Sequence, residues 1–386
     1  MNSSANRAET RFATRLAFLA AGFGMGCWSP LIPYAKTRLG AGDAEIGLLL
    51  LCLGIGSIVA MPLTGALSSR YGSKPMIVAG GIGVAAMLPI LAAAGSAWLI
   101  ALAVLLFGAS LGTIDVAMNV HAVEVEAASG KPLMSGFHAM FSIGGFAGSG
   151  GLTFLLSTGL PPLSAAICGA VITLAAVLLA WPRLLRSRQA GDNKIFVLPR
   201  GIVLLLAALT AAAFLAEGAI LDWSALLITE TLLLNVAQGG LGYMLFSIAM
   251  TIGRLSGDRF VARAGNFRVL LWSGVTTVAG FVILLTAPIA LIAMAGFLLI
   301  GFGASNIVPV LFSQAGRQTA MPIGLAISAL AMTGYAGILM GPAVIGLLAH
   351  AIGLKKAFWL LAGLMSLVPI FAKQAARGGT TCLPKH

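Results

Sequence analysis

The stretch AWLIALAVLLFGASLGTIDVAMNV, residues 97–120, decides the fold of this chain. Its one charged residue is Asp115, and the run is long enough to cross a bilayer, which takes about 20 apolar residues. Lipid offers no hydrogen-bond partner to backbone N–H and C=O groups, so we expect the run to be helical. Strands of a membrane barrel would instead alternate apolar and polar residues over about 10 positions, and no stretch of the chain does so.

Eleven further stretches of the same kind fill the rest of the chain. The composition is 59% hydrophobic and 9% charged, which is outside the range of water-soluble globular domains. We therefore predict an all-α membrane protein with 12 transmembrane helices. The predicted spans are residues 13–34, 45–68, 75–95, 97–120, 133–158, 161–182, 201–228, 237–260, 267–287, 289–314, 322–349 and 353–374.

The basic residues indicate how the chain is oriented. The formal net charge is +12, and 19 of the 23 Lys and Arg residues fall on one side of the predicted topology. Lys and Arg are enriched in cytoplasmic loops, so we place both termini in the cytoplasm and the protein in the bacterial inner membrane. Topology thus accounts for the basic charge, and we expect no nucleic-acid partner; a patch for nucleic acid or anionic lipid is the minor alternative. The four basic residues on the other side are Lys36, Arg38, Lys355 and Lys356.

The chain divides into two halves of six spans each. The longest polar break, residues 183–200, carries five basic residues and follows the sixth span. We therefore predict a bundle over residues 1–182, a cytoplasmic linker over 183–200 and a second bundle over 201–386.

Short motifs recur between the halves and indicate a duplication. A 6+6 duplication predicts a solute site between two bundles and alternating access by rocking one half against the other. The recurring pairs are Phe-Gly-Ala-Ser at 107–110 and 302–305, Trp-Ser at 28–29 and 223–224, and Gly-Phe-Ala-Gly at 145–148 with Gly-Tyr-Ala-Gly at 334–337.

This plan resembles the major facilitator superfamily. Between its second and third spans the family carries a pattern close to G-x-x-x-D-[RK]-x-G-[RK]-[RK]. Gly65, Arg70, Gly72 and Lys74 match it, whereas Ser69 stands at the acidic position. The resemblance implies the family's 12-helix fold and a cytoplasmic gate at this loop.

The corresponding loop after the eighth predicted span carries the acid that the first loop lacks. It reads Arg254-Leu255-Ser256-Gly257-Asp258-Arg259. By the same resemblance we assign gating roles to Arg254, Asp258 and Arg259. We expect Asp258 to hold the gate more than the loop around Ser69 does.

A narrower resemblance lies at the end of the fourth span. GTIDVAMN, residues 112–119, resembles the G-x-x-E-x-A-x-N stretch of proton-coupled fucose permeases and, more closely, a bacterial subgroup related to rhizopine transporters. The resemblance implies that Asp115 takes part in proton coupling and sugar binding. An acid that fucose permeases carry in their first span is replaced here, so coupling is better supported than a sugar solute. Three further stretches resemble the same subgroup: Ser135-Gly136-Phe137-His138, Glu217-Gly218 and Asp222-Trp223. The stretch of the first span that lacks the acid reads Trp28-Ser29-Pro30-Leu31.

Asp115 also needs an explanation that does not depend on any family. An ionised Asp at the centre of a span costs roughly 2.5 to 3.5 kcal/mol on insertion scales. Gly108, Gly112, Asp115 and Asn119 are spaced so that they share one helical stripe. That stripe faces either a solute cavity or a neighbouring helix, and in the second case Asp115 is a neutral acid bonded to that helix. We interpret Asp115 as the proton-coupling residue, with Asn119 beside it.

Further polar residues extend the candidate site. His138 has a depth in the fifth span similar to that of Asp115, and is its partner, a second proton site, or a histidine bonded to backbone at the cytoplasmic interface. His121, Glu124 and Glu126 follow the fourth span, and we expect them to be solvated or gating charges.

The seventh span carries two acids. Glu217 and Asp222 are about 140° apart on a regular helix, so both face one cavity only if the helix breaks at Gly218. Glu217 lies deeper and is the better transport residue. Trp28 and Trp223 occupy repeat-related positions as interfacial anchors or as stacking surfaces for a ring-bearing solute.

The tenth span and the cysteines add few residues to the candidate site. Asn306 and Gln314 are weaker candidates for solute contact. The four cysteines have no C-x-x-C spacing, so we expect neither a metal site nor a disulfide framework.

Absent motifs narrow the function. The chain has no G-x-x-x-x-G-K-[ST] loop for ATP and no nucleophile elbow, so we expect neither an ATP-driven pump nor an enzyme. We predict a monomeric secondary transporter that moves a small polar solute, sugar-like in type, in symport with protons. Its partners would be the solute, protons and the bilayer, with no cofactor beyond the proton gradient. The alternatives are a proton-antiport exporter of drugs or metabolites and, in another class, a transport-inactive membrane sensor or scaffold.

Overall fold

The computed structural model describes residues 7–40, 43–185, 198–230 and 241–377. Every regular element in these ranges is helical, which confirms the predicted all-α architecture. The α-helices are α1 (Ala8–Trp28), α2 (Ile32–Leu39), α3 (Asp43–Tyr71), α4 (Ser73–Ala93), α5 (Ala97–Ser129), α6 (Met134–Ser157), α7 (Pro162–Ala180), α8 (Ile202–Glu230), α9 (Leu241–Thr286), α10 (Ala290–Ala304), α11 (Ile307–Arg317), α12 (Ile323–Ile352), α13 (Leu354–Met365) and α14 (Leu367–Ala376); 3₁₀ turns cover Ser29–Leu31 and Trp181–Arg183.

Within the described residues, 11 helical segments are long and apolar enough to cross a membrane, where the sequence predicted 12. Three of them are pairs of consecutive helices: α1 with α2, α10 with α11, and α13 with α14. These pairs are interrupted at short polar or proline-containing points such as Ser29-Pro30-Leu31 and Ser305-Asn306.

The number of membrane-spanning segments is one lower than predicted because two predicted spans fall on the single element α9. Its 46 residues form two helical stretches joined at a kink, and at a rise of about 1.5 Å per residue they are long enough for two crossings of a hydrocarbon core of roughly 30 Å. Its backbone is non-helical at Gly265, with φ 79° and ψ 160°, a conformation open to glycine because it has no Cβ. Of the predicted spans 237–260 and 267–287, residues 241–260 and 267–286 fall on α9, and residues 237–240 lie outside the described residues.

The two gate motifs lie on helices, so their prediction as loops is wrong. Helix α3 continues through Arg70 to Tyr71, and the single residue Gly72, with φ 87°, separates it from α4. The motif from Arg254 to Arg259 lies inside α9. A glycine with positive φ is enough to end or redirect a helix, so no polar loop is needed.

The chain forms two compact units. One comprises Met1–Leu133, Phe137–Leu198 and Pro322–Met332, and the other comprises Met134–Gly136, Pro199–Met321 and Thr333–His386. The first turn of α6 thus belongs to the second unit, and the start of α12 belongs to the first. The predicted bundle boundaries stay a prediction, and residues 186–197 of the predicted linker lie outside the described residues.

Small residues bring α5 close to α3 in the first unit. A Cβ on Gly112 would lie 2.7 Å from the carbonyl oxygen of Ser57, and Ser57 Oγ donates to the carbonyl of Gly108 at 2.7 Å. The glycine part of the predicted stripe therefore faces a neighbouring helix, as close packing of membrane helices requires.

Candidate functional sites

Asp115 and Asn119 form one polar pair on α5, in the first unit. The Asn119 Nδ2 group donates to the backbone carbonyl of Asp115 at 2.9 Å and lies 3.5 Å from Asp115 Oδ1. Asp115 is half-buried and Asn119 is fully buried. Asn119 Oδ1 has no hydrogen-bond partner among the described residues. The pair therefore offers an acid that is partly reachable and an amide oxygen with unused acceptor capacity.

A hydroxyl contact beside this pair was missed in the sequence. Thr64 of α3 donates to Thr113 of α5 at 3.2 Å, two residues from Asp115. The signal was present, since Thr113 directly follows Gly112 of the α5 stripe that packs on α3.

His138 lies on α6, half-buried, with its ring against Phe18 of α1. The ring centroids are 5.3 Å apart at an interplanar angle of 61°. This aromatic contact orients the imidazole from one side. Pairing of His138 with Asp115 stays a prediction.

His121 contradicts the prediction that it is solvated, because it is fully buried on α5. Its Nε2 accepts a hydrogen bond from the backbone N–H of Leu185 at 3.0 Å, and its Nδ1 lies 3.2 Å from Thr14 Oγ1. Thr14 donates to the carbonyl of Thr10 at 2.8 Å, so the consistent arrangement has a neutral imidazole that donates through Nδ1. The helix continues past the predicted end of the fourth span to Ser129, which places His121 inside the bundle.

Glu126 is also buried, so the expectation of a solvated side chain is wrong for it as well. Its Oε2 accepts from the backbone N–H of Leu133 at 2.8 Å, at the residue that precedes α6. Glu126 therefore holds the connection between α5 and α6. Glu124 is half-buried.

In the second unit, the structure brings together two residues that the sequence placed in different groups. Arg254 Nη2 of α9 lies 3.7 Å from Glu217 Oε2 of α8, and the side chains are 9% and 29% exposed. Tyr243 is within electrostatic reach of Glu217, Arg254 and Asp222, and shares a hydrogen bond with Ser247. Tyr243 was missed because an isolated Tyr in an apolar run gives no signal of the helix it faces.

Asp222 is exposed and Glu217 is half-buried. Helix α8 is continuous through Gly218, so the break that would have turned both acids toward one cavity is not there. The two acids therefore face different directions, and Glu217 is the acid that lies next to Arg254.

The two repeat-related tryptophans differ in exposure. Trp28 is 6% exposed and packs against Phe107 with ring centroids 6.5 Å apart, so an anchor exposed to the membrane interface is the wrong interpretation for it. Trp223 is half-buried, and a Cβ on Gly346 of α12 would lie 3.1 Å from its ring. The indole N–H of each has no partner among the described residues, although a buried Trp usually finds one.

Asn306 stabilises the break between α10 and α11. Its Nδ2 donates to the carbonyl of Gly253 at 3.1 Å and to Ser305 Oγ at 2.9 Å. Asn306 also lines a cavity of about 200 Å³ together with Arg268 and Trp272. Gln314 of α11 is 1% exposed.

Among the predicted gate residues of the second unit, Asp258 contacts the start of another helix. Its Oδ1 accepts from the backbone N–H of Ser135 at 2.9 Å, and its Oδ2 accepts from that of Gly136 at 3.0 Å. These N–H groups belong to the first turn of α6, where a helix leaves donors unpaired and favours an anion. Arg259, the next residue, is exposed.

The equivalent gate residues of the first unit have no acid. Ser69 Oγ donates to the carbonyl of Gly65 at 3.0 Å, on its own helix. A Cβ on Gly65 would lie 2.7 Å from the carbonyl oxygen of Gly324, at the start of α12. Arg70 is exposed, with its guanidinium 5.1 Å from the Tyr71 ring centroid.

Comparison with known proteins agrees with this architecture. The model of the Major Facilitator Superfamily matches residues 16–320. The chain is 47% identical over 366 residues to an uncharacterized MFS-type transporter of Yersinia pestis, with 95% of both chains covered. It is 29% identical over 351 residues to the membrane protein MosC of Rhizobium meliloti, with 89% of this chain and 85% of the relative covered. In structure it resembles the Escherichia coli fucose:proton symporter FucP with a TM-score of 0.79 at 16% identity, over 96% of this chain and 99% of the other.

The chain therefore belongs to the major facilitator superfamily, and the resemblance stated from its motifs is confirmed. It is a multi-pass membrane transporter and not an enzyme. At 16% identity the likeness to FucP concerns the fold.

Proposed function

We propose that this transporter moves a small polar, sugar-like solute in symport with protons, by alternating access, through 12 spans with both termini in the cytoplasm of a bacterium. The observation that carries the proposal is the Asp115–Asn119 pair. Within the described residues the Asp115 carboxylate has one hydrogen-bonding neighbour, Asn119, and no basic partner. A carboxyl inside a span without a counter-ion can carry a proton as a neutral acid and release it where water reaches it.

Coupling follows if the two facing states differ in their affinity for the proton and for the solute. Asp115 would be protonated while the solute is bound and deprotonated after the solute leaves. The buried Asn119 oxygen beside Asp115 has unused hydrogen-bonding capacity that suits a polyhydroxy solute. The fold of the fucose:proton symporter supports the same type of function by analogy.

Closing of the cytoplasmic side would use Asp258. Its carboxylate contacts with Ser135 and Gly136 would form in one facing state and would break when α6 moves away in the other. Gly65, Arg70, Gly72, Arg254 and Arg259 would complete the gate.

The test of coupling is Asp115→Asn in protein reconstituted into liposomes. Asn mimics the protonated acid, so we expect gradient-driven accumulation of labelled monosaccharides and polyols to be abolished while exchange down the solute gradient persists. Glu9→Gln removes an exposed acid at the start of α1 and is the matched control.

If the Asp115→Asn protein still concentrates solute against its gradient, Asp115 is not the coupling residue and Glu217 takes its place as the first candidate. If an inwardly directed proton gradient drives solute out of the proton-receiving compartment, the protein is an antiport exporter and symport is refuted.

A further inference from the structure

A cavity of about 200 Å³ lies in the second unit, between the two arms of α9 and the end of α10. We call it the α9–α10 cavity. It is smaller than the roughly 300 to 1,000 Å³ of pockets that enclose a whole small molecule, so it suits one part of a larger ligand. Its charged, polar and aromatic lining comes from Phe260 before the kink of α9, from Arg268, Trp272, Ser273 and Thr276 after it, and from Phe302 of α10.

Arg268 gives this cavity a positive charge. It is exposed and forms no hydrogen bond or ion pair with another described residue. Helix α9 carries four arginines and one acid, Asp258, whose carboxylate already accepts two backbone N–H groups at the start of α6. Arginine keeps its charge, and its planar fork matches a phosphate group. Arg268 can therefore bind an anion that the protein itself does not supply.

Two hydroxyl groups in the cavity are unused in the same way. A Ser or Thr inside a helix commonly donates to the carbonyl four residues back. Ser273 and Thr276 are half-buried and form no such bond among the described residues. They lie about 7.5 and 12 Å beyond Arg268 along the helix axis, so donors extend from the kink into the span. Four other hydroxyls of α9 do bond their own helix: those of Thr251, Ser256, Thr277 and Thr286.

The rim of the cavity is aromatic and exposed. Phe260, Trp272 and Phe302 are all exposed, and the rings of Phe260 and Phe302 meet edge to face with centroids 6.3 Å apart. Exposed apolar side chains on membrane-spanning helices face acyl chains, and Trp is enriched where those chains meet the headgroups. Trp272 lies one helical turn from Arg268, which places the cavity at that boundary.

We propose that the α9–α10 cavity binds one anionic phospholipid. Its phosphate binds Arg268, its ester carbonyls accept from Ser273 and Thr276, and its acyl chains lie along Trp272 and Phe302. These groups follow one another along the lipid in the same order as the residues along the second arm of α9. Basic pockets between membrane helices bind such headgroups.

The alternatives use less of the cavity. A free phosphate ion would occupy Arg268 and leave the hydroxyls and the aromatic rim without a role. A zwitterionic lipid would bring a second cation beside the guanidinium. The site is separate from Asp115 and from the proposed solute, so the inference goes beyond the proposed function and does not depend on it.

The test is lipid binding to the full-length, delipidated protein in a neutral detergent, measured by native mass spectrometry. The probes are dioleoylphosphatidylglycerol and dioleoylphosphatidylcholine, which share their acyl chains and differ in the charge of the headgroup. We expect the first phosphatidylglycerol to bind at least about five-fold more tightly than phosphatidylcholine, the contribution of one arginine near an anionic lipid. Inorganic phosphate should not displace it.

The variants separate the cavity from general attraction to a basic protein. Arg268→Gln should weaken phosphatidylglycerol by about five-fold and leave phosphatidylcholine unchanged. Ser273→Ala combined with Thr276→Val should weaken both lipids, since both have ester carbonyls. Arg183→Gln removes the same charge at an exposed site of the first unit and is the matched control, with binding within about two-fold of the wild type. Arg268→Gln should unfold thermally as the wild type does in lipid-free detergent, because Arg268 has no partner among the described residues to lose.

Any one of five results would overturn the proposal. They are equal binding of the two lipids, unchanged binding by Arg268→Gln, an equal loss in Arg183→Gln, unchanged binding by the hydroxyl double variant, or displacement of phosphatidylglycerol by inorganic phosphate. The last result would assign the cavity to a free anion. None of these measurements involves solute or a proton gradient, so their failure leaves the proposed function untouched.

Discussion

Asp258 and Ser69 occupy equivalent positions in the two halves, but Asp258 bonds the start of α6, whereas Ser69 bonds its own helix and Gly65 packs against the start of α12. Gly145 and Gly334 show the repeat offset of 189 residues for α6 and α12, and the same offset relates Ser69 to Asp258 and Ser135 to Gly324. In one half, a carboxylate accepts two backbone N–H groups at the start of α6. In the other half, the backbones of Gly65 and Gly324 approach closely at the start of α12.

The comparison shows that the equivalent starts of α6 and α12 are held in two different ways. The Asp258 contact is a charge-assisted bond to a helix N-terminus, which is short-ranged and directional. The Gly65–Gly324 contact depends on the absence of side chains, and its attraction is dispersion between close backbones. Loss of charge breaks the first, whereas added volume breaks the second.

Asp258→Asn tests the charged contact and should have the largest effect. One N–H would face an amide NH₂ group, and the loss of a hydrogen bond to a charged group costs about 1.5 to 3 kcal/mol. If the contact forms in one facing state, that state is depopulated by roughly 10- to 100-fold. We expect transport by reconstituted protein to fall by about that factor, as measured by initial rates of solute uptake. Ser256→Ala, on the same helix, is the control, and a rate within about two-fold of the wild type for Asp258→Asn would refute this gate.

Gly324→Ala tests the close backbone contact. The added methyl group would collide with the Gly65 carbonyl oxygen and with Ser69 Oγ, and overpacking costs about 1 to 3 kcal/mol. Gly363 has no atom near an added Cβ, so Gly363→Ala in α13 should instead stabilise the helix by up to about 1 kcal/mol. Thermal unfolding in detergent should therefore shift in opposite directions for the two variants, and an equal shift would show that the Gly65–Gly324 contact can relax.

Ser69→Ala should have the smallest effect. The hydroxyl donates to its own helix at Gly65, and such a local bond adds little to helix stability. We expect a change in stability below about 0.5 kcal/mol and an unchanged transport rate. Transport as impaired as that of Asp258→Asn would show that the two halves share the gate equally.

The class of protein could be predicted from sequence because hydropathy and length act locally. Residues 97–120 are apolar on all sides, so they had to be a helix in lipid wherever they packed. The family resemblance was likewise carried by short motifs at fixed spacing, such as GTIDVAMN at residues 112–119. Asp115 and Asn119 could be paired from sequence because they are four residues apart on one helix.

Helix ends were predicted less well than helix existence. The gate motif around Arg254 carries charges and was taken for a loop, but the structure keeps it within α9. Charged residues can stay helical inside a bundle when another helix supplies their partners, as Glu217 does for Arg254. The predicted span 237–260 already contained this motif, whereas the predicted fourth span ends at residue 120 although α5 continues to Ser129, because hydropathy has no information about such partners.

By itself the sequence determined the apolar helices and the family, since each depends on composition or on spacing within one segment. The tertiary structure alone decided that Arg254 meets Glu217, that His121 is buried against Thr14 and Leu185, and that Asp258 reaches the start of α6. These contacts join residues far apart in the chain. They depend on the rotation and depth of each helix relative to its neighbours, which packing sets and no single segment encodes.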